Sequence, residues 1–337
     1  MKRMILKWVL RVLAGLLALI ILAVGGFILR DRILYRDFYK MAEKGMKIPG
    51  LWDGYVSQGF DYYEEKGVYL TCGYQKSGEA SRIYILNGEE QIRVDMKNAD
   101  GSDYTGHTGG IDTYGPYVYI TAADGCDLFL VDDVFDGDGV ATCVGAVKSC
   151  NDPAYCTIVG DLLYVGSFYD KGKYETPQEH RMVTPIGDQN MAIMAVYRLD
   201  PATGKPISET PEMVFSTTGK IQGMTFAGEQ FMVLSSSYGL ATSTLYFYDL
   251  SVVFGTADVG ATMVINNVEV PLYYLDSSTL IDTVEAPPMA EELVWHGDKI
   301  WIMNESACTK YWFGKLTSGN RVYGIPLPQS VISRLGI

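Results

Sequence analysis

A strand–turn–strand pattern recurs five times after residue 57, and it limits the possible folds of this 337-residue chain more than any other feature. Each copy has a short apolar strand, a tight turn that holds a glycine, and a strand of alternating β-branched and aromatic residues. The copies are QGFDYYEEKGVYLTCGY from Gln58, GGIDTYGPYVYITA from Gly109, AYCTIVGDLLYVGSF from Ala154, QGMTFAGEQFMVLSSS from Gln222 and EELVWHGDKIWIMNES from Glu291. Turns such as VGD, AGE and HGD are typical of two-strand hairpins.

A third strand follows each hairpin, and a weaker fourth strand follows most of them. The third strands are SRIYILN, CDLFLVD, MAVYRLD, STLYFYDL and NRVYGIPL. The copies begin 51, 45, 68 and 69 residues apart, and insertions at 170–190 and 251–267 account for the longer spacings. Four antiparallel strands repeated around an axis predict an all-β fold, a β-propeller of five blades. Six blades are the alternative, because the longer units could contain a degenerate blade. We expect the segment 50–57 to supply the outer strand of the last blade.

The phrases QG, GHTGG and PPMAEE resemble those of uncharacterised secreted or membrane-anchored bacterial β-propeller proteins. More distantly, the repeats resemble the six-bladed lactonase-type propellers. The resemblance covers the repeats and implies a propeller fold. Lactonase and glycosidase propellers use defined carboxylates or a metal, and no such set is matched here residue by residue.

The N-terminal region is apolar from Trp8 to Leu29, with Arg11 as its one charge. About 20 apolar residues in a helix span a bilayer, so residues 1–29 are predicted to be a transmembrane anchor. A cleaved signal peptide is the alternative, but the run is long and no A-x-A site follows it. Residues 30–47 are predicted to form a juxtamembrane basic helix or linker, and residues 48–337 the propeller domain. Basic residues flank the span on both sides, which leaves its orientation open.

Charge divides the chain at residue 47. Residues 1–47 carry ten Lys/Arg and three Asp/Glu, whereas residues 48–337 carry 17 and 37. An acidic body argues against a nucleic-acid partner, because such binding depends on neutralising phosphates. With the signal-like start, the asymmetry predicts a single-pass protein of the cell membrane with an extracellular propeller.

Six cysteines follow the anchor, and none of them forms a C-x-x-C pair, so a zinc ribbon is excluded. The best candidate for a disulfide is Cys150–Cys156. The alternative is that cysteines in apolar strands, such as Cys72 and Cys143, are buried free thiols.

The connections between strands predict which face carries function. In a blade, the loops between second and third strands emerge on the same face as the connections between blades. Here those loops are long, and function concentrates in long loops on a rigid scaffold. The predicted ligand-binding residues on that face are Gln58, His107, Tyr155, Gln222, Glu291, Glu292, Tyr238, Tyr311 and Trp312. Further side chains expected around its mouth are Tyr74, Asp124, Asp152, Tyr169 and Glu305.

Several of these residues have a structural alternative. Gln58 and Gln222 occupy equivalent repeat positions, where they could satisfy backbone groups. Glu291 and Glu292 could provide acid–base chemistry or bind a divalent cation such as calcium. Adjacent residues of a strand point to opposite sides, however, which would separate the two carboxylates. His107 is a weak candidate for a general base.

These observations favour a membrane-tethered binding module, without a predicted cofactor, for a small molecule, glycan or protein. The alternative is a hydrolase of lactones or glycosides that uses Glu291 and Glu292, with or without a divalent cation. A third hypothesis is an assembly scaffold. No G-x-S-x-G, Walker A or H-E-x-x-H motif occurs, and His180 and His296 are too dispersed to form a three-histidine metal site with His107.

Overall fold

The N-terminal segment is helical in the computed structural model, which describes residues 2–256 and 261–335. Two helices are followed by a short strand: α1 (Lys2–Leu34), α2 (Arg36–Met41) and β1 (Glu43–Lys47). Helix α1 is long and apolar enough to span a membrane or to act as a signal anchor.

The rest of the described chain is all-β and forms five successive units, numbered I to V. Units I to IV each contain four antiparallel strands of their own, and unit V contains three. Unit I contains β2 (Tyr55–Tyr63), β3 (Val68–Gln75), β4 (Arg82–Asn87) and β5 (Glu90–Lys97). Unit II contains β6 (Ile111–Tyr114), β7 (Tyr117–Ala122), β8 (Gly125–Leu130) and β9 (Val140–Lys148), with helix α3 (Val131–Phe135) before its last strand.

Units III and IV carry the insertions. The first strands of unit III are β10 (Pro153–Val159) and β11 (Leu162–Ser167). A 3-10 helix (Gln178–His180) and the small hairpin β12 (Met182–Val183) and β13 (Gln189–Asn190) follow them. The unit ends with β14 (Ala192–Asp200), β15 (Lys205–Pro206), which pairs with β14, and β16 (Met213–Thr217).

Unit IV contains β17 (Ile221–Ala227), β18 (Phe231–Ser236), β19 (Ser243–Asp249) and, after an insertion, β22 (Leu280–Ala286). The insertion comprises α4 (Leu250–Thr256), β20 (Thr262–Ile265) and β21 (Val268–Tyr274), and β21 extends the sheet of unit III. The predicted insertion 251–267 therefore lies here, although its residues 257–260 are outside the described residues. Unit V contains β23 (Ala290–His296), β24 (Lys299–Asn304), the helix α5 (Gly314–Thr317) and β25 (Arg321–Pro326), and helix α6 (Gln329–Leu335) follows it.

The fourth strand of unit V comes from the N-terminal segment. Strand β1 pairs with β25, with Glu43 opposite Gly324 and Lys47 opposite Arg321. The expectation that residues 50–57 provide this strand was wrong, because Tyr55 already begins the first strand of unit I. The predicted juxtamembrane segment 30–47 likewise ends in a sheet strand rather than in a helix or linker.

The first strands of the units contact one another in the order β2, β6, β10, β17, β23 and back to β2. Glycines allow this close approach. A Cβ at Gly59 would lie 2.7 Å from the backbone nitrogen of Ile111, and one at Gly110 would lie 2.5 Å from that of Cys156. A Cβ at Gly223 would lie 2.5 Å from a backbone carbon of unit V. Glycine is therefore required at this position in units I, II and IV, because the backbone of the next unit occupies the space that a Cβ would need.

Neighbouring units are also joined by hydrogen bonds from backbone N–H groups to side-chain oxygen atoms. Asp112 of unit II accepts a hydrogen bond from the backbone N–H of Ile158 at 2.6 Å. Thr225 of unit IV accepts one from the N–H of Trp295 at 2.9 Å. These bonds satisfy buried peptide groups that the ladders within the units leave unpaired.

The cysteines are free thiols in the described structure. Cys156 lies next to Cys126 of unit II in one buried cluster. The predicted Cys150–Cys156 bridge is therefore absent, since Cys156 points into the core between two units. Cys72 is buried and donates to the carbonyl of Thr108 at 3.2 Å, while Cys143 is half-buried.

Candidate ligand-binding site

A cavity of about 910 Å³ opens on the face formed by the loops between second and third strands and by the connections between units. Side chains from all five units line it. Its volume falls within the range of pockets that hold small molecules.

One residue from the same repeat position of each unit lines this cavity. These residues are Gln58, Gly109, Ala154, Gln222 and Glu291. In four of the five units a β-bulge falls at this position, because the register with the second strand shifts there. A bulge redirects the side chain at that point, which explains how residues at the start of an inner strand come to face the cavity.

The next residue of each unit points away from the cavity. Three of these residues are the packing glycines, and the other two are Tyr155 and Glu292, which are both buried. One carboxylate oxygen of Glu292 accepts hydrogen bonds from the backbone N–H groups of Phe60 at 3.1 Å and Ile111 at 3.2 Å. Among the described residues, the other oxygen and the Tyr155 hydroxyl have no hydrogen-bond partner. Strand alternation therefore separates Glu291 from Glu292.

The buried end of the cavity holds two carboxyl groups in direct contact. Glu291 on β23 is hydrogen-bonded to Glu305, which follows β24. Gln58 donates to Glu305 at 2.9 Å, and Gln222 lies 3.4 Å from an oxygen of Glu291. Two neighbouring glutamates and two amides thus form one polar network that faces the cavity.

The surroundings of the two carboxyl groups favour their protonated forms. Burial raises the pKa of Glu291 well above its usual range, and the neighbouring Glu305 adds to this effect. Burial also raises the pKa of Glu305, to about 7, while Lys310 and the hydrogen bonds from Glu291 and Gln58 oppose the rise. Because two neighbouring buried carboxyl groups cannot both ionise at low cost, the pair holds a proton to a higher pH than two exposed glutamates do.

His107, Tyr74 and Lys310 form one side of the cavity. The rings of His107 and Tyr74 lie 4.8 Å apart, and the Lys310 ammonium lies 5.1 Å from the ring of Tyr74 and 5.0 Å from that of Tyr311. The surrounding cavity wall and then Lys310 lower the pKa of His107. The imidazole is therefore neutral at pH 7 and can accept a proton or a hydrogen bond.

A second aromatic group lies on the other side. Phe168, Tyr174 and Tyr238 have ring centroids 5.5 to 6.2 Å apart. The ammonium of Lys173 lies 5.0 Å from the rings of both tyrosines and donates to the Tyr238 hydroxyl. Each side of the cavity thus combines aromatic faces with a lysine ammonium group.

The structure brings together most of the predicted residues. Those that line the cavity are Gln58, His107, Gln222, Glu291, Tyr238 and Tyr311, with Tyr74, Asp152 and Glu305 around them. Those that do not line it are Tyr155, Glu292, Trp312, Asp124 and Tyr169. Trp312 is exposed and has a positive φ of 52°.

The two lysines of the cavity were missed by sequence reasoning. Lys173 and Lys310 lie in the long loops of units III and V, outside the repeat register. These two lysines could have been chosen as candidates because they lie in the long loops that were predicted to carry function. No group of three or more His, Cys, Asp or Glu side chains within residues 2–256 and 261–335 is placed to hold a metal ion.

No protein family and no curated protein matches the sequence. Solved structures with a similar fold include PQQ-bound aldose sugar dehydrogenase from Streptomyces coelicolor, at 13% identity and a TM-score of 0.45, over 84% of this chain and 96% of that one. A putative oxidoreductase (glucose dehydrogenase) from Thermus thermophilus matches at 11% identity and a TM-score of 0.43, over 84% and 99%. The GH43_1 enzyme from Xanthomonas citri in complex with xylotriose matches at 11% identity and a TM-score of 0.45, over 87% and 92%. These are distant propeller-like enzymes, and likenesses at this level carry no conclusion about the ligand of this chain.

Proposed function

We propose that this chain is a membrane-tethered, extracellular β-propeller of five blades that binds a small polar ligand of the carbohydrate class. Five four-stranded units and the cyclic contact order of their first strands support the blade count. Helix α1 supports the tether. Protease treatment of intact cells tests the placement, because an extracellular propeller is digested and an internal one is protected.

The observation that carries the ligand class is the combination of surfaces in one cavity. Its buried end offers amide and carboxyl groups, from Gln58, Gln222, Glu291 and Glu305, and its sides offer the faces of tyrosines. Sugars present hydroxyl groups beside apolar ring faces. Aromatic side chains with a polar tip and a few convergent hydrogen-bonding groups suit such a molecule.

A thermal-shift screen tests this proposal. The full-length protein in detergent would be heated with a panel of neutral sugars, amino sugars and uronic acids. A ligand that binds only the folded state raises the melting temperature. At a concentration of 100 times its Kd, it adds about 2.7 kcal/mol to the free energy of unfolding. We expect Gln222→Leu to abolish the shift and Gln178→Leu, at an exposed site outside the cavity, to retain it. Equal shifts in both variants would place the ligand elsewhere.

A second function, acid–base catalysis on a lactone or glycoside, is favoured by the Glu291–Glu305 pair. A buried carboxyl group that keeps its proton near pH 7 can act as a general acid. The carboxyls of a retaining glycosidase are about 5–5.5 Å apart and those of an inverting one are further apart. Two hydrogen-bonded carboxyls are closer than this, so they would act as one proton-sharing unit. Asp127 or Asp152, which line the same cavity, would then be the second carboxylate of a glycosidase.

Turnover measurements distinguish the second function from simple binding. Lactones and aryl glycosides would be incubated with wild type, Glu291→Gln and the exposed control Glu229→Gln. If the protein is an enzyme of this kind, the turnover rate of Glu291→Gln should be lower than that of wild type by a factor of at least about 100, as expected for removal of a general acid. A binding module shows no turnover in any variant.

A further inference from the structure

The loop between β24 and β25 joins the cavity to the membrane helix within three residues. Tyr311 lines the cavity, and Trp312 is 59% exposed. The ring of Phe313 packs edge-on against that of Phe27 in α1, with 6.3 Å between centroids. Three consecutive residues thus line the cavity (Tyr311), are exposed to solvent (Trp312) and contact the helix (Phe313).

The loop between β18 and β19 repeats this arrangement. Tyr238 and Gly239 line the cavity, and Leu240 is 67% exposed. The hydroxyl of Thr242 is hydrogen-bonded to that of Tyr35, the residue between α1 and α2, at 3.1 Å. Two loops from neighbouring units therefore present apolar side chains between the cavity and the helix.

Helix α1 leaves the body at this face. Its contacts with the body lie at its C-terminal end, where Arg32 donates to the hydroxyl of Ser318 at 2.7 Å and Phe27 meets Phe313. The side chains from residue 2 to residue 23 are exposed. The part of α1 that is free to enter a membrane therefore begins beside the mouth of the cavity.

A second exposed aromatic residue lies on the same face. Trp52, in the turn before β2, is 85% exposed. The ammonium of Lys315 lies 3.7 Å from its ring centroid and donates to the carbonyl of Leu51 at 2.8 Å. Tryptophan is enriched at membrane interfaces, and lysine there is attracted to anionic headgroups.

We propose that the rim formed by Trp52, Leu240 and Trp312 docks on the surface of the bilayer that α1 spans, so that the cavity mouth lies at the level of the lipid headgroups. The proposal rests on α1 remaining in the membrane and does not depend on the identity of the ligand. The occupant is a lipid surface because the candidate span leaves the body beside this rim, and because both strongly exposed tryptophans of the body lie on it.

Lipid quenching of tryptophan fluorescence tests the proposal on the full chain. The five tryptophans are Trp8 in α1, Trp52 and Trp312 on the rim, and Trp295 and Trp301 at the β23–β24 turn on the opposite face. Trp8→Phe removes the tryptophan of the span. This variant would be placed in vesicles of phosphatidylcholine and phosphatidylglycerol, with or without bromine atoms on the acyl chains near the headgroup. The triple variant Trp8→Phe/Trp52→Phe/Trp312→Phe is the matched control, and its two added changes lie at exposed positions.

We expect brominated lipid to reduce the fluorescence of Trp8→Phe by up to half, because two of its four remaining tryptophans lie on the rim. The reduction should be lost in the triple variant. Unchanged fluorescence in Trp8→Phe would overturn the proposal, since it would place the rim away from the bilayer. An equal reduction in both variants would also overturn it, since the opposite face would then be the one near the lipid.

Discussion

Glu291 is hydrogen-bonded to Glu305 at the buried end of the cavity, where the hairpin of β23 and β24 places Ala290 opposite Asn304. Two carboxyl groups in such contact cannot both ionise at low cost, so one keeps its proton. The charge at the buried end of the cavity therefore depends on the pH.

The pair predicts a fall in stability as the pH rises. Its pKa values are raised above the ordinary glutamate value of 4.5, so the folded state binds more protons than the unfolded state. The stability that this provides is complete below 4.5 and is lost as the pH rises through the folded pKa of Glu305, about 7. We expect Glu305→Gln to flatten the pH dependence of the free energy of unfolding between about 4.5 and 8, measured by urea denaturation in detergent. The control Glu229→Gln should retain the wild-type slope, and a wild-type slope in both variants would contradict a shared proton.

Glu292 is predicted to be a structural residue. Its replacement by alanine removes the acceptor of two buried N–H groups and leaves a void. We expect Glu292→Ala to lower the free energy of unfolding by about 2–5 kcal/mol. Glu292→Gln keeps an acceptor oxygen and should lose less than half as much. Thermal denaturation of both variants checks this order, and an equal loss would show that the acceptor is not important.

The packing glycines should not tolerate a Cβ. We expect Gly59→Ala and Gly223→Ala each to lower the free energy of unfolding by about 1–3 kcal/mol, because backbone atoms of the neighbouring unit occupy the space. Gly145→Ala is the matched control, since no atom lies within 4 Å of a Cβ there. Its change should stay within about 0.5 kcal/mol. Wild-type stability of Gly59→Ala would show that the inner strands are further apart.

The hairpins and packing glycines could be predicted from sequence because each depends on local chemistry. Gly160, Gly228 and Gly297 have φ values from 58° to 68°, and only glycine adopts these at little cost. The outer strand Glu43–Lys47 could not be predicted, because EKGMK has no clear alternation and its partner β25 lies near the other end of the chain. Glu305 directly follows Asn304, which is paired with Ala290, but the bulge that directs the side chain of Glu291 towards the cavity is not encoded in the repeat pattern.

The interaction of His107 with Lys310 predicts a measurable change in ionisation. The ammonium of Lys310 lowers the pKa of His107, so Lys310→Met should raise it. An NMR titration of the His107 ring protons would measure the change. Lys171→Met, at an exposed position of another long loop that does not line the cavity, should leave the titration as in wild type. An identical midpoint in all three proteins would contradict the electrostatic interaction.

The most direct test of the account is a structure of the full-length protein in lipid nanodiscs with the sugar that gives the largest thermal shift. We predict density for the sugar within the cavity, at hydrogen-bonding distance from Gln222 and Glu291 and against the ring of Tyr238 or Tyr311. Density at the opposite face, or a cavity without the sugar at saturating concentration, would contradict the account.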